Sequence, residues 1–165
     1  MGLNISEGTN ELTKRKEEFT EQLSAGEQIE KDGLETDRIA ASIDTSGLDS
    51  STIETTRQVT SDLSSAFTEK ISEVQKQVEK TSDVVKENIS ALGETQEQVD
   101  ENARKYSEMA GVSEIGKAAA DAGRSKMESD SQEYRNLIQE NETQMEKAEE
   151  DVENMSSSIK SLFKR

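Results

Sequence analysis

The sequence predicts an all-α fold: an elongated antiparallel helical hairpin, resembling a coiled-coil bundle, with an additional helix at its N-terminus. Three observations carry that prediction. None of the 165 residues is proline, so no side chain interrupts a helix by removing a backbone N–H. Hydrophobic residues make up only 30%, too few for a thick core, so the apolar groups have to be gathered into stripes. Those stripes advance in steps of three and four residues, the period of one helix face. A formal charge of -16 with so few apolar residues also fits a disordered chain, and the regularity of the stripes decides against it.

With proline absent, glycine is the main punctuation, and it divides one domain, 1–165, into four parts: a helical segment 1–49, a long helix 50–110, a turn 111–123 and a C-terminal helix 124–165. In the first part Ile5, Leu12 and Phe19 lie seven apart and Leu23 follows four later, which marks one helix face. Gly26 and Gly33 are expected to interrupt this helix. Leu34, Ile39 and Ile43 then continue it at loose spacing until Asp44-Thr-Ser-Gly47 supplies turn-forming residues.

The long helix carries the strongest signal. Ile53, Thr56, Thr60, Leu63, Phe67, Ile71, Val74, Val78, Thr81, Val85, Ile89 and Leu92 continue through Gln96, Val99, Ala103 and Tyr106 to Ala110, a seam held for about eight heptads. At 1.5 Å per residue such a helix is on the order of 90 Å long, and only another helix can cover a stripe of that shape. Ser51-Thr-Ile-Glu54 reads as a capping box at its start.

Gly111 to Gly123 is rich in small residues and is the expected reversal of chain direction. In an alternative reading Lys117–Ala122 stays helical and the turn occupies only Gly111–Gly116. Ser125-Lys-Met-Glu128 is a second capping-box match, followed by two heptad series: Met127, Tyr134, Asn141, Ala148, Met155, Leu162, and Ser131, Ile138, Met145, Val152, Ile159. Asn141 sits in a seam, where a buried amide fixes register at a cost in stability. With a reversal near residue 115, Asn88 falls opposite it, so the pair are candidate register-setting residues. The plain alternative is tolerance, since the seams also accept Thr81, Gln96 and Ser131.

Composition narrows the function classes. There is no His and no Cys, which removes the commonest general base, the usual zinc ligands and the thiol nucleophile. An acidic chain repels phosphate backbones, so nucleic acid is not expected as a ligand. No stretch approaches the roughly 18 apolar residues of a membrane span, and Met1–Asn10 lacks both a basic start and an apolar run, so neither integral membrane insertion nor a cleaved leader is expected. A cytoplasmic origin follows, and the absence of cysteine tolerates export without demonstrating it.

Glu149, Glu150, Asp151 and Glu153 resemble a cation cluster, but consecutive carboxylates on a helix are spread around its axis and no calcium-loop spacing is present, so a solvated face is expected. Gly111–Gly116 lacks the Lys-Ser/Thr ending of a phosphate loop, Lys117 being followed by Ala118. A raised carboxyl pKa for acid–base work requires a dry apolar pocket, which five aromatics in thin stripes do not readily supply. No catalytic residue, cofactor, metal or small-molecule substrate is therefore expected.

Across Thr52–Lys86 the Ser/Thr/Gln/Glu-rich stripe is similar to the cytoplasmic hairpin of chemotaxis receptors, but Gly111–Gly123 does not match the apolar, Ala-rich tip of that family. Over its whole length the chain more closely resembles the small helical proteins of type VII secretion, the WXG100 proteins and the helical accessory partners of LXG toxins. The likeness is one of architecture: no Trp-x-Gly or Leu-x-Gly occurs, and Tyr106 and Tyr134 are followed four residues later by Ala110 and Ile138 rather than by an acidic residue. The resemblance implies an acidic helical hairpin that assembles with other helices for export. The expected function is thus non-enzymatic: binding a helical partner as chaperone, adaptor or secretion-complex subunit, with Phe67, Val74, Val78 and Val85 as the partner-facing seam. The alternative is a structural protein whose seams pair identical chains.

Overall fold

A helix with an apolar stripe is stable only when that stripe is covered, and three helices here cover one another. A computed structural model of the chain describes residues 5–109 and 114–164, which form α1 (Ile5–Ala41), α2 (Ser50–Met109) and α3 (Glu114–Lys160). Together they make an all-α bundle with no strand among the described residues.

α1 runs unbroken through Gly26 and Gly33, contrary to the interruption expected there. Both glycines, like Gly8, are buried on its inner face, so they serve as points of close approach rather than as breaks. The loosely spaced Leu34, Ile39 and Ile43 do not continue that face and are exposed. α2 is capped two residues earlier than the Ser51 box suggests: Asp49 Oδ1 accepts the Thr52 N–H at 2.7 Å, and the Asp49 carbonyl accepts Ile53 N–H at 3.0 Å. α3 already includes 114–123, so most of the expected turn is helix, and Ser125 lies inside α3 rather than at its start. Residues 111–113 lie outside the described residues.

Contacts gather the chain into two compact units, each containing part of every helix. The first comprises Met1–Glu17 and Ser82–Met145. Its core is Leu12, Leu92, Tyr134 and Leu137, with Val99 and Ile138 packed against them. Here Gly8 lets α1 approach α2 and α3 together: a Cβ on it would lie 2.8 Å from Leu92 Cδ2 and 3.3 Å from Leu137 Cδ1. Asp100 does not pair along its own helix but reaches α3, accepting from Ser131 Oγ at 2.6 Å and from Arg135 Nη2 at 3.5 Å. Gly123 is pressed against the Tyr106 ring, whose Cε1 would lie 2.7 Å from an added Cβ.

The second unit comprises Glu18–Thr81 and Glu146–Arg165. A Cβ on Gly26 would lie 2.7 Å from Met155 Sδ and 3.5 Å from Val74 Cγ1. At Gly33 it would lie 3.0 Å from Leu162 Cδ1 and 3.5 Å from Phe67 Cδ1. As α1 advances from Gly26 to Gly33, its α2 neighbours recede from Val74 to Phe67 while its α3 neighbours advance from Met155 to Leu162. In this unit α1 is therefore antiparallel to α2 and parallel to α3.

The glycines thus fall into two kinds, which substitution separates. Gly93, inside α2, has open space around its missing Cβ, whereas Gly123 faces a rigid ring. Gly93→Ala is expected to stabilise the protein by about 1 kcal/mol, the difference in helix propensity. Gly123→Ala is expected to lower the melting temperature because the Tyr106 ring has to move. Thermal melts followed by circular dichroism check both.

Candidate partner-binding groove

The seam read from the sequence is the inner face of α2: every described side chain of it from Ile53 to Tyr106 is buried or half-buried. Phe67, Val74, Val78 and Val85, expected to face a partner, lie on this inner face. All four are covered within the chain itself, Val78 at 0% and Val85 at 1% exposure. At Val74 and Phe67 the cover is α1, whose Gly26 and Gly33 bring its backbone against them.

Asn88 and Asn141 turn to different partners. Asn88 Nδ2 donates to Glu11 Oε2 at 3.4 Å, and Asn141 Nδ2 donates to its own helix at Leu137 O, 2.8 Å away. Asn141 is only 2% exposed and its Oδ1 has no hydrogen-bond partner. Of the carboxylate run, Glu149 and Asp151 are half-buried while Glu150 and Glu153 are exposed. Among the described residues no three His, Cys, Asp or Glu side chains are placed to hold a metal ion, and no helix is long and apolar enough to cross a membrane.

The open surface of the second unit lies where the helices cease to match. α2 has 60 residues and α3 has 47, so the α2 seam outruns its cover. α3 ends at Lys160, and the chain then turns through Phe163, whose φ of 62° is left-handed and strained for an aromatic residue. Two contacts offset the strain. The Phe163 ring stacks on Phe67 with centroids 6.0 Å apart, and its N–H donates to Asp37 Oδ1 at 3.0 Å.

Beyond Phe163, a groove of about 600 Å³ runs along the first four turns of α2. Ile53, Thr56, Thr60 and Ser64 line one side, and Ala40, Ala41, Ile43 and Thr45 the other. The Thr56 and Thr60 hydroxyls donate back to the Thr52 and Thr56 carbonyls, each at 2.9 Å, so their donors are already used within the helix. Among the described residues, Arg57 is the one charged side chain lining the groove. The exposed large hydrophobics among the described residues all belong to this stretch of chain: Leu34, Ile39, Ile43, Leu48 and Val59.

The groove was not anticipated from the sequence, although a signal existed: the heptad seam of α2 reaches back to Ile53, further than the α3 series ending at Leu162 can extend to match it. Comparison with protein-family models, with characterised proteins and with solved structures finds no match to this chain.

Two aspartates fix the segment leading into α2. Asp44 Oδ1 accepts the Ser46 N–H at 2.9 Å, and hydrogen bonds from the Ser46 side chain and backbone hold its carboxyl below the usual 3.8. The Thr52 backbone N–H, and secondarily its side chain, do the same for Asp49. A depressed carboxyl pKa stabilises the fold above the unfolded value of 3.8, and the contribution is lost as pH falls through the lower folded value. Asp49→Ala is therefore expected to lower the melting temperature at neutral pH, with the difference from the native chain vanishing in strong acid. Melting curves across that pH range check it.

Asn141→Leu is expected to raise stability by about 1–2 kcal/mol, because it removes a buried amide with an unpaired oxygen from an apolar seam. Denaturant titration measures the gain, and an unchanged midpoint contradicts the account.

Proposed function

We propose that this protein is a non-catalytic interaction protein that binds a helix of another protein in the groove between the end of α1 and the start of α2. The observation supporting this reading is the overhang. The α2 seam continues past the end of α3, so the groove extends an interface that a helix already occupies, and an incoming helix in line with α3 meets the same spacing of side chains. Helix-in-groove recognition requires an apolar face of this kind.

Charge selects the partner's chemistry. On the exposed chain from 35 to 62, Glu35 and Glu54 pair with Arg38 and Arg57 at 3.9 and 3.7 Å, which leaves Asp44, Asp49 and Asp62 exposed with no cationic partner among the described residues. An amphipathic helix flanked by Lys or Arg complements that rim, whereas a second copy of a chain carrying -16 is repelled. Chaperone, adaptor and secretion-complex subunit are the roles that fit such a binder, and the last accords with the resemblance to type VII helical proteins.

A synthetic heptad peptide with Leu at its seam positions and Lys at its flanks tests the proposal. It is expected to bind the full chain, to weaken roughly tenfold or more when salt screens the flanks, and to lose binding to Thr60→Arg and Ser64→Arg variants that remain helical. Equal binding of a Glu-flanked peptide, or indifference to both substitutions, refutes the groove as the site. A mass that grows with concentration in the absence of peptide supports self-assembly instead.

A further inference from the structure

We propose that the second half of α1, from Leu23 to Ala41, opens as a unit from α2 and α3 while those two helices stay paired, uncovering Phe67, Ile71 and Val74. The positions of this stretch that are not exposed are Leu23, Gly26, Ile29, Glu30, Gly33, Thr36, Asp37 and Ala40, and of these only Leu23 and Ile29 are large and apolar, both of them half-buried. Its other large residues do not help: Leu34 and Ile39 are 47% and 53% exposed. Glycine is the least favourable residue after proline in a helix interior, and this stretch carries two of them in its contact face.

The opposing helices are held differently. In the same unit α2 buries Phe67, Ile71, Val74 and Val78, and α3 buries Val152, Met155, Ile159 and Leu162. This stretch of α1 therefore supplies mainly backbone and no fully buried large side chain, while α2 with α3 supply the apolar area, an asymmetry that places the second half of α1 at the low end of local stability.

The boundaries of the moving piece are also marked. On one side Phe19 is buried, and Gln22 Nε2 donates to Thr81 Oγ1 at 2.8 Å and Gln77 O at 3.3 Å, anchoring the first half to α2. On the other side every residue from Ala41 to Thr52 is exposed, so the connection to α2 offers no apolar anchor. Between these limits, Asp37 with the Phe163 N–H is a polar latch that water can replace. The α2 residues freed by opening continue the face of the groove. That consequence for binding rests on the partner reading, whereas the opening itself is a property of the chain alone.

Native-state hydrogen exchange on the full chain tests it. Amides 24–41 are expected to exchange as a block, about tenfold or more faster than amides 67–81 and 148–160. Because the chain has no cysteine, Val74→Cys gives a single thiol whose labelling is expected to outpace global unfolding of the same variant. Exchange of all three helices at one common rate overturns the proposal, as does a smooth gradient inward from Ala41, which is end fraying, or Val74→Cys labelling only at the unfolding rate. Block exchange together with failure of the Lys-flanked peptide to bind removes the partner reading and leaves the opening standing.

Discussion

The α2 seam is the constraint that the rest of the chain answers. Its residues advance in steps of three and four over a helix of 60 residues, and an apolar stripe on one long helix cannot be buried by that helix itself. α3 covers part of it with its own heptad series, and α1 covers a further part with a face of different composition. The burial pattern follows this division of labour: α2 and α3 contribute Val, Ile, Leu and aromatic side chains, while α1 contributes Leu12 and Phe19 and then, at the next two heptad positions, Gly26 and Gly33.

Those glycines determine how the second unit is packed. Without a Cβ at Gly26 and Gly33, the α1 backbone approaches Met155, Val74, Leu162 and Phe67 directly, and a larger residue would have to displace them. The gain is a close helix–helix approach with little apolar side-chain area. The cost is a weak helix, since glycine in a helix interior is disfavoured by about 1 kcal/mol relative to alanine. A surface that is covered, but covered lightly, lies beside a groove that is not covered at all, and both belong to the face that the sequence pattern marks for helix packing.

Polar groups in the seams act in the same direction. Gln22, Ser82, Asn141 and Ser156 each carry a buried side-chain oxygen with no hydrogen-bond partner, and such atoms lower stability without adding area. Asp100 shows the other use of polarity: instead of pairing with Arg104 on its own helix, it binds Ser131 and Arg135 across to α3, which fixes the pairing of the two helices in the first unit. The geometry of that contact depends on where α3 lies, so charge spacing along one helix could not disclose it.

By itself the sequence determined the helical class, the inner face of α2 and both heptad series of α3, because a repeat of three and four residues without proline has one physical meaning: a stripe that must face another helix. It did not determine which helix covers which part of the stripe. Phe67, Val74, Val78 and Val85 read as a partner-facing seam because their spacing marks a face for another helix without saying which helix covers it, and Gly26 and Gly33 read as interruptions of α1 because glycine in isolation is a helix breaker. Only tertiary packing shows that these glycines are contact points, since their value lies in what another helix places against them. The helical state of 114–123, the cap at Asp49 and the strained turn at Phe163 were decided in the same way, by partners in space. The groove follows from the mismatch in length between α2 and α3, which becomes a surface only when the two are laid side by side.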